Sequence, residues 1–195
     1  MYRFKNRLAT AVVSLVAIAA SAPASAATYI TSIKITAQSY LQVAEVQAFS
    51  GTTNVAASAN GGTASATSVY SAESAAGNAI DGSTNGNYPA IYHGASGSGS
   101  DVLTISFARA LVSTINLFGR TDCCSNRDIY SYQLFDGTTL VGSGTADASG
   151  STHEASVAVA AVPEPATWTL MLTGFGMIGA GVRSRKRQPA GVTYA

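Results

Sequence analysis

The chain has 195 residues, with 11 Lys plus Arg against 10 Asp plus Glu, two cysteines and only 11% charged residues. The formal charge of +1 conceals where the cations lie: between residues 27 and 161 only Lys34, Arg109, Arg120 and Arg127 are basic, against nine carboxylates. An acidic body without a basic patch speaks against nucleic acid as a partner.

Taken in chain order, the first feature is Arg3, Lys5 and Arg7 followed by the apolar run "LATAVVSLVAIAA" and the small residues Ala24, Ser25 and Ala26. A basic start, a short apolar run and a small-residue cleavage site predict a secretory signal peptide over residues 1–26, removed after Ala26. The run is too short for the roughly 20 apolar residues that span a bilayer. The fold is therefore sought in residues 27–161, enough for one domain with a sizeable core.

That region is rich in Ala, Ser, Thr and Gly and has no long helix-period pattern. Short alternating segments take its place. Ile33 and Ile35 share a face, as do Leu103, Ile105 and Phe107, then Tyr130, Tyr132 and Leu134, then Val157 and Val159. Asp136-Gly137 supplies a hairpin turn. The pattern predicts an all-β domain, an antiparallel β-sandwich or barrel. Residues 50–76 and 94–100 are so small and polar that partial disorder is expected there.

The residues that could carry chemistry come in four clusters. Glu45 stands in "YLQVAEVQAFSG", and Asn78, Asp81 and Ser83 stand in "GNAIDGSTNGNY". His93 stands in "AIYHG", and "GRTDCCSNRD" holds Arg120, Asp122, Cys123, Cys124 and Arg127. In an oxidising compartment each cysteine has only its neighbour to pair with inside the chain. Such a bond would close a small ring and staple no loop. It would present a rigid apolar knob instead; two free thiols or an intermolecular bridge are the alternatives. Two adjacent cysteines without a second pair lack structural zinc spacing. Asp81 alone could serve a simple Asx turn.

Read together, His93, Arg120, Asp122 and Arg127 spell H-x26-R-x-D-x4-R, with Cys123-Cys124 inside the last gap. This resembles the fucose-binding motif of the F-type lectins (fucolectins), which belong with the discoidin, or coagulation factor 5/8 type C, sandwiches. The resemblance implies a jelly-roll β-sandwich of the galactose-binding-like class. It implies that His93, Arg120 and Arg127 hydrogen-bond one sugar, that a Cys123–Cys124 disulfide packs on the sugar's apolar face, and that Asp122 orients an arginine. A planar, permanently charged guanidinium suits that task. The "NAIDG" stretch is similar to the family's calcium loop, which implies Asn78, Asp81 and Ser83 as oxygen ligands of a structural calcium, joined by Glu45. In this chain the Glu45 segment comes first, so the order looks circularly permuted. Ala90 stands where the family often has an oxygen-bearing side chain, and "GASGSGSD" after His93 lacks the tryptophans frequent in such domains.

The C-terminal stretch "VPEPATWTLMLTGFGMIGAGVRSRKRQ", residues 162–188, combines Pro163-Glu164-Pro165 with an apolar run over residues 166–182 and Arg183, Arg185, Lys186 and Arg187. The run is long enough to enter a bilayer, with the basic cluster on the cytoplasmic side. The arrangement resembles the PEP-CTERM sorting tail of Gram-negative bacteria. That implies transient contact with an exosortase in the inner membrane, removal of the tail, and release to the envelope, the surface or the extracellular polymer matrix; a permanent anchor is the alternative. The expected function is calcium-supported binding of a fucose-like sugar, the partner being a glycan or exopolysaccharide. The alternative is a structural envelope or biofilm-matrix protein without sugar binding. With no G-x-S-x-G or H-E-x-x-H, no enzyme is expected.

Overall fold

The computed structural model describes residues 27–159, 171–179 and 183. The signal peptide, Pro163-Glu164-Pro165 and the basic residues after Arg183 lie outside the described residues. Eleven strands are described: β1 (Thr28–Ala37), β2 (Gln42–Val43), β3 (Glu45–Ser50), β4 (Thr53–Asn54), β5 (Thr63–Ala66), β6 (Tyr92–His93), β7 (Leu103–Val112), β8 (Thr114–Phe118), β9 (Ile129–Asp136), β10 (Thr139–Asp147) and β11 (Glu154–Ala158). They form a five-stranded sheet in the order β10-β9-β1-β7-β5, a four-stranded sheet β11-β8-β3-β4 and a small β2-β6 ladder. The recorded pairings are antiparallel.

Side-chain alternation explains how the two larger sheets enclose one core. Ile33, Ile35, Leu103, Ile105 and Leu134 from the five-stranded sheet join Val46, Ala48, Ile115 and Leu117 from the four-stranded sheet in a single buried cluster. Period-2 apolar residues on one face of each sheet can only be hidden by stacking those faces. Ile30 breaks the period, since it is three residues from Ile33, yet it too is fully buried. The β1–β7 register shifts between Ile30 and Ser32, and this irregularity returns Ile30 to the core side. Asp136 pairs with Thr139 across the expected hairpin, where Gly137 takes a positive φ of 62°.

Residues 50–76 and 94–100, expected to be partly disordered, are ordered, and the expectation is corrected by local polar contacts and an edge-strand pairing. The Asn54 side chain accepts from the amides of Ala48 and Ala56 at 3.0 and 3.2 Å. Gly62 passes so close to Ala56 that an added Cβ would lie 1.9 Å from the Ala56 carbonyl oxygen. β5 then joins the sheet edge against β7. In the 94–100 loop, Ser96 N–H donates to the buried Asp101 carboxylate at 2.8 Å. Small polar residues thus build structure by hydrogen bonding where they cannot build it by burial.

Of the C-terminal apolar run, residues 171–179 are helical. Met171, Leu172, Phe175, Met177 and Ile178 on it are all more than half exposed. Among the described residues no helix is long and apolar enough to cross a membrane.

The register also fixes which loops share an end of the sandwich. Phe118 pairs with Glu154, and Ala37 with Tyr130, at one end. Thr114 pairs with Ala158, and Thr28 with Val112, at the other. The loops after β1, before β6 and after β8 therefore gather at the first end.

Candidate functional site

At that first end lies a cavity of about 350 Å³ lined by Tyr40, Tyr70, Tyr88, His93, Arg120 and Arg127. Its size is at the small end of ligand pockets, which run from roughly 300 to 1,000 Å³. Residues 93, 120 and 127, distant in sequence, thus meet in one concave site.

Each arginine lies over a tyrosine. The Arg120 guanidinium is 5.4 Å from the Tyr88 ring centre, and that of Arg127 is 5.0 Å from Tyr40. Aromatic faces attract cations and hold them against apolar surface. The two arginines differ in their charge partners. Arg120 Nε and Nη2 both donate to the Asp122 carboxylate, which also accepts from the Tyr88 amide at 3.2 Å. The hydrogen bond from Arg120 holds the Asp122 carboxyl below its usual range. Asp122 thus holds the Arg120 guanidinium in place. Arg127 has no carboxylate within ion-pair distance among the described residues.

His93 forms the floor and is 6% exposed. Its ring centre is 4.7 Å from Tyr70, 5.7 Å from Tyr40 and 6.0 Å from Tyr88. Nδ1 lies 2.7 Å from the Gly94 carbonyl oxygen, and Nε2 lies 2.8 Å from the Gln42 amide nitrogen. A carbonyl can only accept and an amide NH2 can only donate, so the neutral ring carries its proton on Nδ1 and accepts at Nε2. Burial pushes the His93 pKa down, helped by the charges of Arg120 and Arg127 and opposed by the Gly94 bond. Both nitrogens are thus engaged within the protein. His93 offers the cavity its ring surface, which differs from the direct sugar contact that the resemblance implies.

Cys123 and Cys124 are bonded to each other. This settles the alternatives left open by the sequence. The disulfide lies in the loop between the two arginines, with Cys123 exposed, and is not among the side chains lining the cavity. Cys124 takes a positive φ of 61° as the chain turns into the short 3-10 segment Ser125–Arg127. Apolar contact surface in the cavity comes from the three tyrosines instead.

The loop is tied down beneath by Asp128, which is fully buried. Its carboxylate accepts from the Arg120 amide at 3.1 Å, and the Tyr130 hydroxyl lies 3.2 Å away. His153 Nδ1 is 3.7 Å distant, beyond hydrogen-bond length. Burial raises the Asp128 pKa to about 6, with the Arg120 amide bond opposing the rise. Gly119 passes Asp128 so closely that a Cβ there would sit 2.4 Å from Oδ2. A glycine is needed at that position for the loop to close.

The residues implied as calcium ligands lie beside this loop. Glu45, fully buried, accepts from the Gly82 amide at 3.3 Å with Oε2, while Oε1 is buried without a partner. Burial raises its pKa to about 8, the nearby Asp81 charge adding to the effect and the Gly82 bond opposing it. Asp81 Oδ1 accepts from the Ser83 amide at 2.7 Å, and Ser83 Oγ accepts from the Asn85 amide at 3.2 Å. The Asn78 amide donates to the carbonyls of Glu73, Pro89 and Ile91, which fixes the turn before β6. Among the described residues there is no cluster of three or more His, Cys, Asp or Glu side chains. Any ion here would draw most of its ligands from amide, hydroxyl and carbonyl oxygens.

Tyr40, Tyr70, Tyr88 and Gln42 were not singled out by the motif. One signal was present. Each tyrosine is a lone aromatic in a loop of Ser, Asn, Gly or Ala ("QSYLQ", "SVYSA", "GNYPA"), where no strand alternation calls for it.

The model of the PEP-CTERM protein-sorting motif matches residues 161–186. The comparison with curated proteins and that with solved structures return no match. The motif implies an exported protein handled by an exosortase and delivered to the cell envelope or surface of a Gram-negative bacterium.

Proposed function

We propose that residues 27–161 form a discoidin-like, F-type-lectin-like sandwich of the jelly-roll, galactose-binding class, and that this exported protein binds one sugar unit of a glycan or exopolysaccharide in the Arg120–Arg127 cavity. The observation that carries the reading is the convergence of Arg120, Arg127 and His93 with three tyrosines in one small cavity. Guanidinium donors beside aromatic walls match a molecule that is polar at its rim and apolar on its ring faces. Among the described residues no Ser, Thr or Cys and no carboxylate pair lines the cavity, and the histidine there has both nitrogens engaged. These features favour a binder over an enzyme.

A calcium ion fits the second cluster. The orphaned Glu45 Oε1 is a buried, hard oxygen aimed at no proton donor, and Asp81 lies close enough to raise the Glu45 pKa. Glu45 and Asp81 would hold the ion, with Ser83 and Asn78 supplying neutral oxygens. Bound there, the ion would brace residues 78–91, the turn that carries Tyr88 into the cavity.

The resemblance puts L-fucose first among the sugars to test. In a calorimetric titration of the purified protein, L-fucose or another monosaccharide binds, and Arg120→Ala reduces that affinity by more than tenfold with unchanged circular dichroism. Charged hydrogen bonds of about 1.5–3 kcal/mol each set that scale. A folded protein that ignores every sugar offered would leave the structural matrix-protein reading, which the sorting motif also supports.

A further inference from the structure

We propose that the cavity is built for an acidic sugar, a uronic acid residue whose carboxylate pairs with Arg127. The inference rests on the carbohydrate reading and departs from the neutral sugar implied by the resemblance.

Charge is the first ground. Of the two guanidinium groups, Arg120 is neutralised by Asp122, and Arg127 is not neutralised by any described residue. Its sequence neighbour Asp128 offers nothing to the cavity, because that carboxylate is buried and held by the Arg120 amide beside the Tyr130 hydroxyl. Asp101 is not among the residues lining the cavity, and its carboxylate accepts from the Ser68 hydroxyl and the Ser96 amide. One cation is left facing a cavity walled by aromatic rings, where a counter-charge is worth more than in open water.

Hydrogen-bond inventory is the second. A sugar hydroxyl is both donor and acceptor, so a site for a neutral sugar needs acceptors as well as donors. Here the His93 acceptor is taken by Gln42, and Asp122, which already accepts from Arg120 and the Tyr88 amide, is not among the residues lining the cavity. Among the side chains that line the cavity, the free capacity beyond the tyrosine hydroxyls is guanidinium N–H; the unpartnered Gln42 Oε1 is fully buried behind His93. A carboxylate accepts only, and the planar fork of Arg127 can meet both its oxygens at once. The sugar ring then lies against Tyr70, which is 59% exposed at the mouth. The rest of the domain is acidic, which disfavours a run of anionic sugars and selects a single acidic residue in an otherwise neutral chain.

The test is a calorimetric titration of the full protein with D-galacturonate, its neutral methyl ester, D-galactose, L-fucose and sodium acetate. Galacturonate should bind at least about tenfold more tightly than its methyl ester or galactose, the scale of one charged hydrogen bond. Arg127→Gln should erase that preference, and Arg127→Lys should keep part of it. Arg127 is part-exposed and, among the described residues, makes no side-chain hydrogen bond, so both variants should fold normally by circular dichroism. L-fucose or the methyl ester binding as well as the acid would overturn the inference and leave sugar binding in place. Acetate binding as tightly as galacturonate would overturn it in favour of a plain anion site. No binding by any of the sugars would remove the carbohydrate reading and the inference together.

Discussion

At the scale of single residues, Asp128 decides whether the two arginines are presented at all. It closes the loop from below by taking the Arg120 amide, while Gly119 leaves room for it. The Tyr130 hydroxyl has one proton and two oxygens within reach, the Gln42 carbonyl at 2.5 Å and Asp128 Oδ1 at 3.2 Å. The proton goes to the nearer carbonyl, so a protonated Asp128 can donate in turn to Tyr130. That fits a carboxyl held up to about 6 by burial. Asp128→Asn can imitate the protonated form and should cost within about 1 kcal/mol near pH 7. Asp128→Ala leaves the Arg120 amide unpaired and a void behind it, and should cost about 2–4 kcal/mol in urea unfolding. Equal losses in the two variants would show that the carboxyl shape does not hold the loop. The same contacts explain what the sequence could reveal. His93, Arg120 and Arg127 were legible only through the resemblance of their spacing to a lectin motif. Tyr70 and Tyr88 were not, because their places depend on long-range bonds such as Tyr70 N–H to the His93 carbonyl and Thr121 N–H to the Gly86 carbonyl, each 2.8–2.9 Å. The unavailability of the His93 nitrogens was equally hidden, since Gln42 meets His93 only through the β2–β6 pairing.

At the scale of elements, strands were easy to read and the segments between them were not. Alternating Ile33/Ile35 and Leu103/Ile105/Phe107 mark faces that burial enforces, and all five are buried. Residues 50–76 carry no such pattern, because their order comes from Asn54 capping, a close glycine approach and an edge strand, β5. β3 shows a sequence signal with a cost attached: its first residue, Glu45, is a carboxyl in the core. With its folded pKa raised from 4.5 to about 8, Glu45 keeps a proton that the unfolded chain has already lost. Stability from this group is therefore full below about pH 4.5 and falls as pH rises through 8. Asp128, raised from 3.8 to about 6, acts in the same direction over a lower window. In chelator, the melting temperature should drop by at least about 5 °C between pH 5 and pH 8, a shift of order 1 kcal/mol for a domain of this size. Millimolar calcium should recover most of that loss at pH 8 and little at pH 5, where a proton competes for the site. Glu45→Gln should flatten the pH dependence and abolish the calcium response in differential scanning calorimetry. A calcium response that survives Glu45→Gln would place the ion elsewhere.

At the scale of the whole molecule, the cavity and the attachment of the tail lie at opposite ends of the sandwich. β8 runs from Thr114, beside Ala158, to Phe118, just before Arg120. Val159 donates to the Ser113 carbonyl at 2.9 Å, so the described chain leaves the domain at the end far from the tyrosines. β8 is five residues long, so its two ends lie about 13 Å apart at the usual rise. A protein held by its tail and one released from it would carry the same cavity. Sorting and binding are separable on this geometry. Replacing Pro163, Glu164 and Pro165 with alanine should leave a membrane-bound, full-length form in fractionated cells and reduce the released form several-fold. Whatever ligand the released protein binds should then be bound by the retained one with unchanged affinity. Release that is indifferent to the substitution would remove the role given to the sorting motif. Binding that is lost on retention would mean that the tail, or the membrane behind it, reaches the cavity after all.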